Sequence, residues 1–464
     1  MRGRRARVMV VVVLLLGGAV VLDQVVAEPT PPAGDGNDSE LPSGDELSAS
    51  WFCAEGTSAP DGRAEESILV ANLGTDEVEA LVTVMPGGDE GPVTDTIAVP
   101  PGTTSRLDIA DVLETAEPGV VVETFGGPAV VEHELRGSND LAVGPCARGP
   151  ETRWLFAAGT TIRNSSQFLA LFNPFGEDAI VDVTYFSEGG PEVIEAVQGL
   201  VVPRRSRVTV PVHEHVRREG TVGIDVRARA GRIVAERSMV FDGTEEGLEG
   251  LAVSLGGPAP ANEWWFPYGD AAGGSDVRVA VANPNDTPAD VEVTTLLQGG
   301  DDVGQPQQVV VAPQSSSVID LDQVVQSADA YGVIVRSPAS EVVAEQLVGW
   351  SAGDERGAAT LLGSPAPSER WAFATARLPE DDGGIAVVNP GSDVTHVAVV
   401  AYDGGAERII EEIDLAPGER HVFDAGSLNL PEDVPVAVVA NHPVVVARAA
   451  FIGRGATLSP GVPA

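Results

Sequence analysis

The stretch Val279-Ala280-Val281-Ala282-Asn283-Pro284 has three counterparts: Ile68-Leu69-Val70-Ala71-Asn72, Leu169-Ala170-Leu171-Phe172-Asn173-Pro174 and Ile385-Ala386-Val387-Val388-Asn389-Pro390. The four Asn stand 101, 110 and 106 positions apart. Self-similarity at a steady period marks a repeated structural unit, and here it sets the architecture. Two and four residues before each Asn stand Val, Leu or Ile. Period two with such side chains predicts a strand. The intervening positions are apolar too, so the strand is expected to be central or buried on both faces. The Asn reads as its stop. Pro after it, in three repeats, favours extended backbone, and the carboxamide can bond the turn. Asn72-Leu73-Gly74 lacks the Pro but keeps the turn.

The same features flank this strand in the same order each time. Trp51, Trp154, Trp264 and Trp371 open the repeats, 21, 19, 19 and 18 residues before the Asn. A second alternating strand follows the Asn, as in Val181-Asp182-Val183 and Val291-Glu292-Val293. Pro100, Pro203, Pro313 and Pro417 then end apolar runs and announce a turn. Ser206-Arg207-Val208-Thr209-Val210 exemplifies the strand after it, and Gly332-Val333-Ile334-Val335 a later one. Asp108 to Glu114 and Asp320 to Val325 suggest a short helical turn at the edge. Near the repeat's end stand Glu132, Glu236 and Glu345, with Arg448 read in the fourth place. One charge per repeat at a fixed strand position reads as solvent-facing, at a strand edge or at an interface, where charge discourages edge pairing.

About seven short strands in roughly 105 residues is the signature of a β-sandwich of immunoglobulin-like size. The expected fold is all-β, with four tandem immunoglobulin-like β-sandwich units at 51–150, 151–260, 261–367 and 368–464, arranged as a rod or arc. Two propeller blades per repeat is an alternative that fits the length.

Residues 1–27 read as a signal peptide or membrane anchor. Arg2, Arg4, Arg5 and Arg7 precede an uncharged run from Val8 to Leu22, and Val25-Val26-Ala27 offers small residues for cleavage. The expected location is extracytoplasmic, either secreted or held at the cytoplasmic membrane by residues 8–27. Residues 28–50, rich in Pro, Gly, Ser and acid, read as a disordered linker. Net charge is −41, from 69 acidic and 28 basic residues, the latter all Arg. Nucleic acid is therefore not an expected partner. Without Lys there is no Schiff-base Lys and no phosphate-loop Lys. Cys53 and Cys146 are the two cysteines. In an exported chain they are expected to form a disulfide closing the first unit. The other repeats place Phe156, Phe266 and Phe373 where the first has Cys53.

Chemistry-bearing patterns are sparse. His213-Glu214-His215, read as part of a strand, would turn both imidazoles to one face, but no third ligand is identifiable, so no metal site is assigned. The acidic pairs Asp381-Asp382 and Glu245-Glu246 read as solvated loops. Trp350, in an expected loop Val348-Gly349-Trp350-Ser351, is a possible ligand contact or packs on a neighbouring unit. No nucleophile elbow, phosphate loop or zinc-helix motif occurs, so no catalytic residue, cofactor or metal is assigned and an enzyme is not expected.

The unit Trp154-Leu155-Phe156-Ala157-Ala158-Gly159, with Leu171-Phe172-Asn173-Pro174 and Val234-Ala235-Glu236-Arg237, resembles tandem β-sandwich repeats of bacterial exported proteins. With the leader and the Cys pair, residues 50–464 resemble an actinobacterial exported family of unknown function, domain of unknown function 5719. The resemblance implies an exported location and a β fold, and carries no catalytic residue. The expected function is an envelope-associated, non-catalytic scaffold or interaction protein with a protein or glycan partner. The alternative is binding of a glycan or small molecule in clefts between units.

Overall fold

A computed structural model describes residues 48–463, except for 88–89, 138–139, 244–247, 270–274, 298–304, 322–324, 326–329, 353–354, 377–382 and 453–454. The expected leader lies outside the described residues, as does the expected linker up to residue 47. Ser48, Ala49 and Ser50, expected to be linker, instead pair with Phe125, Thr124 and Glu123 in a sheet.

The first repeat shows how the sequence builds its sheets. Its strands are β1 (Ser48–Cys53), β2 (Glu65–Asn72), β3 (Val78–Met85), β4 (Val93–Val99), β5 (Thr104–Asp108), β6 (Gly119–Phe125), β7 (Ala129–Arg136) and β8 (Leu141–Pro145). They form two antiparallel four-stranded sheets, ordered β1-β6-β3-β4 and β5-β2-β7-β8. The count is eight rather than about seven. Each sheet draws strands from both halves of the repeat, whereas two consecutive propeller blades would each take neighbouring strands; the propeller alternative is thereby overturned. Trp51, Ile68, Val70, Val82, Val122 and Val131 fill one core between the sheets. β3 keeps Glu79 exposed between buried Val78 and Ala80, as a strand with one wet face should. A one-turn helix, α1 (Ile109–Val112), follows β5 and buries Ile109.

The later repeats build the Asn strand the same way, always between the same two neighbours. Ser165–Asn173 lies between Ser206–Pro211 and Val234–Asp242. Ser275–Asn283 lies between Ser315–Asp320 and Val343–Ala352. Gly384–Val388 lies between Arg420–Asp424 and Val436–Ile452. In the fourth repeat Val436–Ile452 is one 17-residue strand serving both sheets, which join into one of eight strands. The first repeat breaks the chain there at Gly126, which turns it with a φ of 103°.

The repeated Asn is structural. Asn283 Nδ2 donates to the carbonyls of Thr287, Val311 and Ala312, and its Oδ1 accepts the N–H of Asn285. Asn389 makes the same bonds to its own turns, and Asn72 and Asn173 the same less one carbonyl. Each carboxamide ties the strand end to the following turn and to the end of the strand that leads to the next Pro. The opening Trp is an anchor as well: Trp154, Trp264 and Trp371 donate Nε1–H to Ile233, Val342 and Val444.

In the second, third and fourth repeats the apolar residue before the Asn faces the preceding repeat. A Cβ added at Gly119 would fall 2.2 Å from the Phe172 ring, and one at Gly223 3.2 Å from Ala282. Only glycine leaves room for that approach. The repeats do not extend as a rod or arc; their contacts form a closed cycle. The closing strands Leu141–Pro145, Glu249–Leu255, Glu355–Leu362 and Gly455–Pro460 pack on one another in order, and the last returns to the first. There Thr104 donates its N–H to Asp433, and Val143 donates to Thr457 Oγ1.

Candidate functional site at the joints between repeats

Strand pairing corrects the reading of the repeated Glu. Glu132, Glu236 and Glu345 lie opposite Leu69, Ala170 and Ala280, three residues before their Asn. In the fourth repeat that place, opposite Ala386, belongs to Ala447. Arg448 lies opposite Ile385 and so corresponds to His133, Arg237 and Gln346. The recurring Val-Ala pair invites an alignment one residue out of register; the Trp acceptors Ile233, Val342 and Val444 give the right one. Of the places expected for the Glu, the structure gives them the interface and not solvent. Glu132, Glu236 and Glu345 are all 0% exposed.

Each Glu is clamped by the repeat before it. Glu345 Oε2 accepts the N–H groups of Ala157 and Ala158 at 2.7 and 2.6 Å, and Arg237 Nη1 at 3.0 Å. Glu132 of the first repeat accepts Ala374 N–H at 3.2 Å and both Nη atoms of Arg448 at 3.1 Å, all from the fourth. Arg237 and Arg448 in turn lie over Phe156 and Phe373. A second contact recurs at all four joints. Arg207, Ser316, Arg420 and Thr104 donate to the carbonyls of Ala54, Ala157, Pro267 and Ala374. A buried carboxylate needs charge and hydrogen bonds together, and these joints supply both.

The third joint lacks the ion pair, and every partner changes with it. Ala447 replaces the Glu, Gln346 replaces the cation, and Pro267, which has no N–H, stands where Ala157 donates. Gln346 donates to the Tyr268 carbonyl instead. Trp265, Leu296 and Ile334 pack on Val388 and Val445 there.

The first joint is built on a titratable cation. His133 lies between two buried carboxylates, with Nδ1 3.5 Å from Glu66 Oε1 and Nε2 3.7 Å from Glu236 Oε2. Glu236 Oε2 also accepts Glu55 N–H at 2.7 Å. Burial disfavours a charged imidazole, but Glu236 and Glu66 outweigh it and raise His133 to about 9. Burial raises Glu236 to about 7 and raises Glu66 as well. Arg207, its side chain 0% exposed, stands 4.0 Å from Glu55.

Cys53 and Cys146 form a disulfide beside His133. Both sulfurs are spent in the bridge, so the three residues offer no thiolate set for a metal. In the other repeats the position of Cys146 is taken by Gly256, Gly363 and Gly461. A Cβ at these would fall 2.8, 2.7 and 3.1 Å from the rings of Phe156, Phe266 and Phe373. A Phe–Gly pair and a Cys–Cys pair thus fill the same place.

Three other expected features fall elsewhere. His213 and His215 lie in a one-turn helix, α2 (Val212–His215), not a strand. His213 meets Phe168 edge-on and His215 stacks on Tyr185, so they do not share a ligand face. Trp350 lies in strand Val343–Ala352 rather than a loop, and stacks on Phe451 of the fourth repeat at 5.2 Å. Asp381-Asp382 and Glu245-Glu246 lie outside the described residues. At the second joint is a polar cleft of about 440 Å³, lined by Arg153, Thr184, Asp225 and Arg227 on one side and by Asn285, Asp286 and Gln314 on the other.

The fold defines a class: an all-β chain of repeated pairs of antiparallel sheets. Within it, the chain belongs to a family of unknown function, DUF5719, whose model matches residues 126–254 and 235–459. Among curated proteins none matches significantly. Two solved structures are similar in part. The crystal structure of Thermotoga maritima 1070 shares 20% identity over 23% of this chain and 94% of that one, with a TM-score of 0.21. That of Streptomyces avermitilis alpha-L-rhamnosidase complexed with L-rhamnose shares 10% identity over 89% of this chain and 57% of that one, with a TM-score of 0.12.

Proposed function

We propose that the protein is an exported, envelope-associated scaffold that presents its outer loops from a rigid cycle of four immunoglobulin-like β-sandwich units. The units are immunoglobulin-like in size and two-layer build, with their own strand distribution: the first two strands fall in different sheets. The observation that carries the reading is the use made of the buried charges. Glu132, Arg448, Arg237, Glu345, His133 and Glu236 are spent on holding repeats together. Pairing of this kind favours one arrangement over alternatives, because any other leaves buried charge uncompensated. The disulfide suits an oxidising compartment. No helix among the described residues is long and apolar enough to cross a membrane; attachment would fall to residues 8–27.

Fractionation of native cells, with in situ crosslinking of a tagged chain, tests this. The expected result is a chain outside the cytoplasm, crosslinked to an envelope component and losing that crosslink when a joint is broken by Glu345→Ala. A cytoplasmic chain, or crosslinks indifferent to the joint, would overturn it.

A further inference from the structure

We propose that the cleft at the second joint is a binding site for a neutral saccharide. The four joints are built on equivalent positions; this one departs from the other three on one wall, and on the facing wall from the two joints whose turns carry glycine. On the wall from the second repeat, the residue opposite Leu155 is Asp225. Its equivalents Val121, Ile334 and Ala437 belong to apolar clusters that fill their joints. Asp225 is 4% exposed, yet it is an acid in this apolar position. Arg153 holds it through Nε at 3.0 Å and Nη2 at 2.7 Å, and Arg227 adds Nη2 at 2.9 Å. Arg153 Nη1 and Arg227 Nη1 are not used in this triad and remain as donors.

The facing wall, from the third repeat, departs as well. Asn285 stands where the first and fourth repeats have Gly74 and Gly391. Gln314 has a φ of 48°, at a position where those repeats use Gly102 and Gly418 and the second has Arg205 with a φ of 51°. A non-glycine residue there is disfavoured by sterics. Gln314 donates through Nε2 to Asp286 Oδ1, which leaves its Oε1 as an acceptor.

The chemistry of this lining selects the ligand class. Two Arg and two Asp balance in charge, so neither an anion nor a cation is favoured overall. Two guanidinium groups line one side and two carboxamides and a carboxylate the other, with Thr184 able to donate and accept and with Phe186 and Pro284 completing the lining. Hydroxyl groups that donate and accept at close spacing match such a set. The cleft volume lies in the range of small-ligand sites.

Saturation-transfer NMR on the purified full chain tests the proposal, with glucose, galactose, mannose, arabinose and their disaccharides against glucuronate and inorganic phosphate. At least one neutral sugar should receive saturation. The variant Asn285→Gly/Gln314→Gly uses residues that equivalent turns already carry, so it should fold, with a lower unfolding temperature for the lost bonds of Asn285 to Asn283 Oδ1 and the Glu341 carbonyl and of Gln314 to Asp286. It should weaken sugar binding at least about tenfold, since hydrogen-bond partners are lost. Saturation of no neutral sugar, binding unaffected by the variant, or stronger binding of glucuronate or phosphate would each overturn the proposal.

Discussion

Removing Glu345 should cost far more than removing Glu345 and its cation together. In Glu345→Ala the guanidinium of Arg237, 0% exposed, keeps only Ser254 as a hydrogen-bond partner. The N–H groups of Ala157 and Ala158 lose their acceptor in the same step. Breaking a buried pair by deleting one partner costs about 3–5 kcal/mol. The third joint shows how the protein itself dispenses with the pair, using Gln346 and Ala447. The double variant Arg237→Gln/Glu345→Ala copies those two side chains at the second joint, though not Pro267. It removes the uncompensated charge and should recover about 1–2 kcal/mol of the loss despite being the larger change. Urea unfolding followed by Trp fluorescence would measure Glu345→Ala, Arg237→Gln and the double variant, with the shift in midpoint converted through a common m-value. The reasoning fails if Glu345→Ala costs under about 1 kcal/mol, the value of an exposed pair. It fails equally if the two single losses simply add.

Three further outcomes are expected. Stability should fall as pH rises from about 5 to about 9. His133 and Glu236 both have folded-state values above their ordinary ones, about 9 and about 7, so the folded state holds more protons than the unfolded chain. The His133 contribution is complete below its ordinary value and lost as pH passes about 9, and that of Glu236 is lost earlier, through about 7. Thermal melts across this range should show the slope, and His133→Gln should flatten its alkaline part. Replacing the disulfide by alanines should cost about 4–5 kcal/mol by chain entropy, whereas Cys53→Phe/Cys146→Gly, which installs the pair of the other repeats, should lose clearly less; calorimetry distinguishes them. Asn283→Asp should destabilise by about 2–4 kcal/mol and more than Asn283→Ala, because a carboxylate would face the three carbonyls that now accept from the amide. An equal or smaller effect in denaturant titration would contradict the role given to the carboxamide.

The repeat and its strands were legible because they rest on local chemistry. Val281 and Val279 alternate, Asn283 stops the strand, and Pro313 marks the next turn; each follows from the chain within a few residues. The exchange of Phe for Cys53 was visible as well, because both follow a Trp at fixed spacing. Its counterpart, Gly for Cys146, gained meaning only once the Phe ring was seen to occupy that space.

The joints were not legible, since Arg237 and Glu345 are 108 residues apart and meet only when one repeat docks on the next. A charged residue in a strand reads equally as wet, at an edge or at an interface until its partner is known, so nothing local decides among these for Glu132, Glu236 and Glu345. His213 and His215 were misplaced for a local reason: Val212 opens a single helical turn after the strand, too short to carry a helical period. Four β repeats, their punctuation and the pairing of the two cysteines follow from the order of residues along the chain. Tertiary structure alone decided that the fourth repeat returns to the first and that the charged residues lie buried. Strand formation depends on neighbours in the chain, whereas closure depends on the angles at which four separate joints add up.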